Sequence, residues 1–243
     1  LVHDDIMDED DLRHNVATIH KKWDNAHAVL SGDGLGALGP LFIGKIRKNT
    51  LAILIRYNEV ILEICEGQAY DMEFENKDFV SVSDYLLMSS KKTGSLFELC
   101  FEIASLISDK YEKNVNDLKK LGRNLGVIFQ IQDDILELET DSENMGKDTF
   151  SDIERNKKTI LTCFAMEKNL SDWKKLIEST DHENVSSKKK SIYNFFIENN
   201  LKEESDKLLV NYINQCNDII DELPDEIQSG LNELIGYIIK RNK

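Results

Sequence analysis

Hydrophobic positions recur along most of this chain with the 3.6-residue period of amphipathic helices, and no stretch alternates with the period of two that strands require. The clearest predicted helix runs from about Asn116 to Asp141 and contains no proline. Within it Gln130, Asp133, Asp134, Glu137 and Asp141 fall at offsets of 0, 3, 4, 7 and 11, one stripe of a helix. Leu125, Ile128, Phe129, Ile135, Leu136 and Leu138 surround that stripe. A row of acids on so apolar a helix is either a solvated outer face or an inward-facing cation site.

The other elements follow from the same periodicity. A long helix is predicted over Asn49 to Phe74, and a helix interrupted by glycines from about Trp23 to Phe42. Ser83 is a candidate N-cap for a helix that holds Lys91-Lys92-Thr93-Gly94, whose two lysines, taken alone, read as solvated surface charges. Arg13 to Thr18 reads as a loop after a helix end, and Asp141 to Lys147 as a polar loop. From Leu161 to Lys243 the pattern is helical again. A polar break around Ser179 to Lys190, with its triple lysine, reads as an exposed linker, and the last helix starts after Pro224. No repeat and no domain-boundary linker is visible. The pattern therefore gives a single all-α domain over 1–243.

Composition narrows the function. Two prolines and 41% hydrophobic residues in 243 suit a helical protein with a sizeable core. A net charge of −15 argues against nucleic acid as a partner, since phosphate contact needs clustered Lys and Arg. It leaves room for a small anionic substrate, because a bound cation reverses the local sign. Cys65, Cys100, Cys163 and Cys216 are scattered, with no CxxC spacing, which points to a reducing, cytoplasmic compartment. The longest uncharged run, Gly34 to Gly44, is too short and too rich in glycine for a membrane span. Leu1 is not an initiator Met, and an acidic motif begins three residues later. A helix holding that motif needs residues before it, so the N-terminal helices of the natural protein, and any targeting segment, are expected to lie upstream.

That motif is a second acidic cluster. His3-Asp4-Asp5-Ile6-Met7-Asp8 places Asp4 and Asp8 at i and i+4. Two such clusters, far apart in sequence, are expected to face each other across a helical bundle. Carboxylates gathered that way repel by on the order of 3 kcal/mol per pair at ~5 Å and an effective dielectric of ~20. Something positive must sit between them, and all-oxygen ligation without His or Cys suits Mg²⁺ sharing its shell with phosphate. Arg13, five residues past Asp8, is near enough to hold a metal-bound anion, although a lone Arg beside acids is commonly a surface ion pair. Gly34-Leu35-Gly36-Ala37-Leu38-Gly39 matches GxGxxG literally, but no strand precedes it and Pro40 follows at once. Close helix packing, rather than a dinucleotide, is the expected reason for those glycines.

In sequence order these pieces resemble the trans-isoprenyl diphosphate synthases, the farnesyl and geranylgeranyl diphosphate synthase family. His-Asp-Asp-x-Met-Asp is similar to the family's first aspartate-rich motif, and Gly126-x-x-Phe129-Gln130-x-x-Asp133-Asp134 to its second. Gly67-Gln68, Lys92-Thr93-Gly94, Gly146-Lys147 and Asp152 with Lys157 fall between and after them in the family's order. The resemblance implies an antiparallel helical bundle around a central cavity (the isoprenoid synthase type I fold), a homodimer, and Mg²⁺ as cofactor. It implies condensation of an allylic diphosphate with isopentenyl diphosphate to a short-chain product such as geranylgeranyl or farnesyl diphosphate. Asp4, Asp8 and Asp133 would bind metal, with Asp5, Asp134 and Glu137 in support. Arg13, Lys92, Lys147 and Lys157 would grip the allylic diphosphate, and Thr93 and Gln130 would lie beside its reacting end.

The chain departs from the family at one instructive place. Where Arg-Arg-Gly is usual after the first motif, Arg13-His14-Asn15 stands, so His14 would have to hold isopentenyl diphosphate, which it does only when protonated. Glu137 replaces the usual third Asp of the second motif. Two other functions remain in view: a class I terpene cyclase on the same fold, against which Asp133-Asp134 and the later lysines speak, and a non-catalytic regulatory subunit, against which both acidic motifs speak.

Overall fold

The computed structural model describes residues 1–108, 111–143, 156–179 and 185–240. The all-α expectation holds: the described residues form helices joined by turns and short loops, with one two-stranded hairpin. Two compact units make up the chain, 1–58 and 59–243, with the boundary inside one long helix. Among the described residues no helix is long and apolar enough to cross a membrane.

The first unit begins with α1 (Val2–Met7), followed by β1 (Leu12–Arg13) and β2 (Val16–Ala17), α2 (Ile19–Lys22) and α3 (Asn25–Ile43). The predicted loop from Arg13 to Thr18 is in fact a hairpin, pairing Leu12 with Ala17 and Arg13 with Val16. His14 and Asn15 form its tip, both at positive φ (51° and 61°), the signature of a tight hairpin turn. Asn tolerates that left-handed conformation, so it can stand where a glycine would otherwise be needed. In α3, Asp24 caps the N-terminus by accepting from the His27 amide at 2.8 Å. Helix packing explains only part of the glycine run. A Cβ on Gly32 would lie 2.2 Å from His3 Nε2 and one on Gly39 2.4 Å from the Tyr57 hydroxyl, whereas Gly34 and Gly36 face open space. Leu30, Leu35, Leu41 and Phe42 of α3 are exposed.

Helix α4 (Thr50–Glu75) leads into the second unit. There α5 (Val82–Ser89), a π-helical turn (Ser90–Gly94) and α6 (Ser95–Ile107) form one continuous rod, and α7 (Val115–Glu143) follows a short 3₁₀ turn. Ser81, not Ser83, caps α5, in a reciprocal capping box with Asp84. Then come α8 (Ile160–Glu178), α9 (Val185–Glu198), α10 (Leu201–Asp221) and α11 (Asp225–Ile239). The triple lysine 188–190, expected in a linker, lies inside α9, and Lys188 Nζ donates to the Ile177 carbonyl at 2.8 Å.

Helix α7 is the axis of this unit and packs against α5, α6, α8, α10 and α11. Leu121, Leu125, Ile128 and Ile135 recur at helical spacing along it and are buried, and Ile131 completes the face. Full burial of each such side chain contributes roughly 1.5–3 kcal/mol. Trp173 on α8 stacks on Phe196 of α9 at 5.6 Å between ring centres and closes the far side of the same core.

Candidate active site

In the first unit Asp4, Asp5 and Asp8 all lie on or at the end of α1, Asp5 and Asp8 buried and Asp4 half-buried. The hairpin folds back on them. Arg13 Nε donates to Asp5 Oδ1 at 2.9 Å, a second guanidinium nitrogen reaches the same oxygen, and it also approaches Asp10 at 3.3 Å. Thr18, buried, donates to the Asp10 carbonyl at 2.6 Å and fixes the base of the hairpin. Burial disfavours the Arg13 charge, but the hydrogen bond and attraction of Asp5, with Asp10 and Asp4 adding, carry its pKa above the usual arginine value. Arg13 thus fastens Asp5 in this structure. His14 sits exposed at the hairpin tip.

The second unit holds the other candidate residues. The π turn sends three consecutive side chains to three partners. Lys91 pairs with Glu66, which raises the lysine's pKa, Lys92 Nζ pairs with the buried Asp71 at 2.6 Å, and Thr93 Oγ1 donates to Gln130 Oε1 at 3.1 Å. Neither lysine is the solvated surface charge expected of it in isolation. Gln130 then donates through Nε2 to Asp134 Oδ1 at 3.2 Å. The other oxygen of Asp134 accepts from the Tyr85 hydroxyl at 2.7 Å and the Ile160 amide at 2.8 Å. Full burial, then the Asp134 charge beside it, push the Tyr85 phenol well above its ordinary range, so it stays a proton donor to Asp134.

A small cavity of about 50 Å³ opens at this network, lined by Asp71, Lys92, Gln130, Asp134, Lys157 and Lys158, with Tyr85, Met88 and Thr159. Lys158 is 3% exposed and donates to the Asn156 carbonyl and side-chain oxygen at 2.8 and 2.7 Å. Burial lowers its pKa. The structure therefore brings together Lys92, Thr93, Gln130, Asp134 and Lys157 of the residues picked from sequence. Asp133 is the adjacent, half-buried residue of α7. Lys147, with Gly146 and Asp152, lies outside the described residues, as does the side chain of Glu137. The sequence reading missed Asp71, Tyr85 and Lys158. Asp71 had a signal, three residues after Gln68 on the same helical face. Tyr85 had none, since its part depends on an acid 49 positions away. Gln68 is 7% exposed, and neither atom of its amide finds a hydrogen-bond partner.

For a divalent cation the donor chemistry fits. Asp4, Asp8 and Asp133 offer carboxylate oxygens and no sulfur or imidazole, the set that a hard cation prefers. Among the described residues no group of three or more His, Cys, Asp or Glu side chains is already drawn together as a metal cage.

The chain is similar to known proteins over most of its length. A family model described as polyprenyl synthetase matches residues 1–196. The geranylgeranyl diphosphate synthase of Sulfolobus acidocaldarius is 35% identical over an alignment covering 100% of this chain and 76% of that protein. The short chain isoprenyl diphosphate synthase of Methanocaldococcus jannaschii is 40% identical over 76% of this chain, but the matched part is only 57% of that protein. The crystal structure of geranylgeranyl pyrophosphate synthetase from Pyrococcus horikoshii superposes with a TM-score of 0.88 at 30% identity, covering 99% of this chain and 75% of that one.

Proposed function

The chain belongs to the polyprenyl synthetase family, and on that footing we propose that it is a prenyltransferase condensing an allylic diphosphate with isopentenyl diphosphate into a short-chain polyprenyl diphosphate. The observation that supports this most directly is the network Thr93–Gln130–Asp134 beside the Lys92–Asp71 pair, lining one polar cavity on the apolar axis of the second unit.

The residues divide by chemistry. Lys92 and Lys157 at the cavity, with Lys147 and Arg13, are the cations for the allylic diphosphate. Asp71 orients Lys92 by pairing with it. Gln130 accepts the Thr93 proton, which turns the lone pairs of the Thr93 oxygen outward. Oxygen lone pairs fixed in this way stabilise positive charge developing on the allylic carbon without reorganising. Asp4, Asp8 and Asp133 are the carboxylates that would take Mg²⁺, with Asp5, Asp134 and Glu137 in support. When bound, the metal would neutralise the negative charge that builds on the leaving diphosphate. The carbon–oxygen bond of the allylic substrate breaks, the double bond of isopentenyl diphosphate forms the new carbon–carbon bond, and the departing diphosphate takes the proton. His14 is assigned to the second diphosphate, which makes binding of isopentenyl diphosphate strongest where the imidazole is protonated.

The reading extends to a homodimer, supported by the exposed Leu30, Leu35, Leu41 and Phe42 on α3. It extends to the cytoplasm, supported by four free cysteines. Burial pushes the Cys216 thiol up to about 12, and Cys163 higher still, so those two are inert. The test is Mg²⁺-dependent diphosphate release from an allylic substrate, with and without isopentenyl diphosphate, followed by sizing of the alcohol products. Release that requires both substrates supports the proposal. Release from the allylic substrate alone indicates a cyclase, and no release under either condition indicates a regulatory subunit.

A further inference from the structure

The rod from Val82 to Ile107 is α-helical except at Ser90–Gly94, the one π-helical turn among the described residues. Such a turn has poorer hydrogen-bond geometry than an α-helix and persists only where its surroundings favour it. Here two side chains and two glycines do so. Arg123 Nη1 donates to the Ser90 carbonyl at 2.9 Å, and the guanidinium is held on its other edges by Glu63 at 2.8 Å and by Glu98. Ser95, fully buried, donates its hydroxyl to the Lys91 carbonyl. The first two carbonyls of the turn are therefore both met by side-chain donors.

From outside, the backbone of the turn is gripped by the neighbouring helices. A Cβ on Gly67 of α4 would stand 2.3 Å from the Lys92 nitrogen and 2.7 Å from its Cα. A Cβ on Gly126 of α7 would stand 2.4 Å from the Gly94 Cα and 3.1 Å from the Thr93 carbonyl carbon. Both approaches are backbone to backbone, with no side chain able to give way.

We propose that Gly67, Gly126, Arg123 and Ser95 are positioning residues that hold this turn open, and that the open turn is what aims Lys92 at Asp71 and Thr93 at Gln130 together. In a regular α-helix each residue turns about 100° from the last. Closing the turn to α geometry rotates Lys92 and Thr93 relative to one helical arm, so one of the two contacts is lost. This inference rests on the proposed prenyl transfer for its effect on rate. Its structural half stands alone. None of the four residues lines the cavity.

The test compares Gly126→Ala with Gly122→Ala, one turn earlier on α7. A Cβ at Gly122 would also clash, 2.8 Å from the Phe97 carbonyl oxygen and 2.9 Å from the Glu98 Cα, but against α6 and not the turn. Both variants should lower the thermal midpoint. Only Gly126→Ala should lower kcat, by about 10²-fold as expected for misplaced reacting groups, and KM for the allylic diphosphate should rise only if the lost contact is the one that aims Lys92. Ser95→Ala introduces no clash and should lower kcat with a nearly native midpoint. Amide hydrogen exchange should quicken at 90–94 in Gly126→Ala and Ser95→Ala and not in Gly122→Ala. Equal loss of kcat in Gly122→Ala, or native kcat in both Gly126→Ala and Ser95→Ala, overturns the proposal. If the parent chain shows no turnover, the proposed function fails, and the exchange pattern alone then decides the clamp: unchanged exchange at 90–94 in both variants refutes it.

Discussion

In α1 the buried carboxylate, Asp5, is fastened by a guanidinium; in α7 the buried carboxylate, Asp134, is fastened by a phenol and a backbone amide. Each lies next to, or one turn from, the acids assigned to metal. The first fastening is ionic and partly wet, with 36% of the Arg13 side chain exposed. The second draws on two buried neutral donors, with Tyr85 1% and Ile160 0% exposed. An ionic clasp near water is screened by salt and weakly stabilising, whereas a buried acceptor serving two otherwise unpartnered donors is costly to remove. The contrast is between two ways of holding a supporting carboxylate in place beside an acid assigned to metal.

Three substitutions or conditions probe that contrast, in falling order of effect. Asp133→Asn should lower turnover by roughly 10²–10³-fold or more, as removal of a charge-stabilising group does, while circular dichroism stays native. Near-normal turnover would break the assignment of Asp133 to metal. Asp134→Ala should instead act on the fold. It strands the Tyr85 hydroxyl and the Ile160 amide, at about 1–3 kcal/mol each, so the urea midpoint should fall clearly. An unchanged midpoint would mean that water replaces the carboxylate. The smallest effect concerns salt. Asp5→Ala should cost less than Asp134→Ala, and part of that cost should disappear near ~1 M salt, where the screening length is ~3 Å. The part of the Asp134→Ala cost that comes from the stranded Tyr85 and Ile160 donors should not change with salt.

Much of this was readable before any coordinates. Amphipathic period alone gave α7 as Asn116 to Asp141 against the observed Val115–Glu143, and α4 as Asn49 to Phe74 against Thr50–Glu75. Long helices carry many repeats of their signal. The β1–β2 hairpin was missed because strands of two residues show no alternation, and its turn uses His-Asn rather than a glycine pair. Ser83, read as the cap, lies inside α5 one position past Val82, and the reciprocal contacts between Ser81 and Asp84 make Ser81 the cap instead. Of the candidate site, the residues picked from local motifs that the structure brings together are Lys92, Thr93, Gln130, Asp134 and Lys157. Asp71, Tyr85 and Lys158 act through partners or burial set by tertiary packing, and their own neighbourhoods in the chain are unremarkable. The π turn has no sequence signature, since the donors that sustain it arrive from α7 and from the turn's far side.

That turn also has a bearing on how the family can vary. A widened turn is what a one-residue insertion into a regular helix looks like, accommodated without breaking the rod. Removing a residue between Ser90 and Gly94 would give back an ideal helix, with better backbone geometry over its whole length and the wrong side chains at the cavity. Length between Val82 and Ile107 is therefore constrained where identity at many positions is free, and a shorter, more regular rod would be a trade of catalysis for stability.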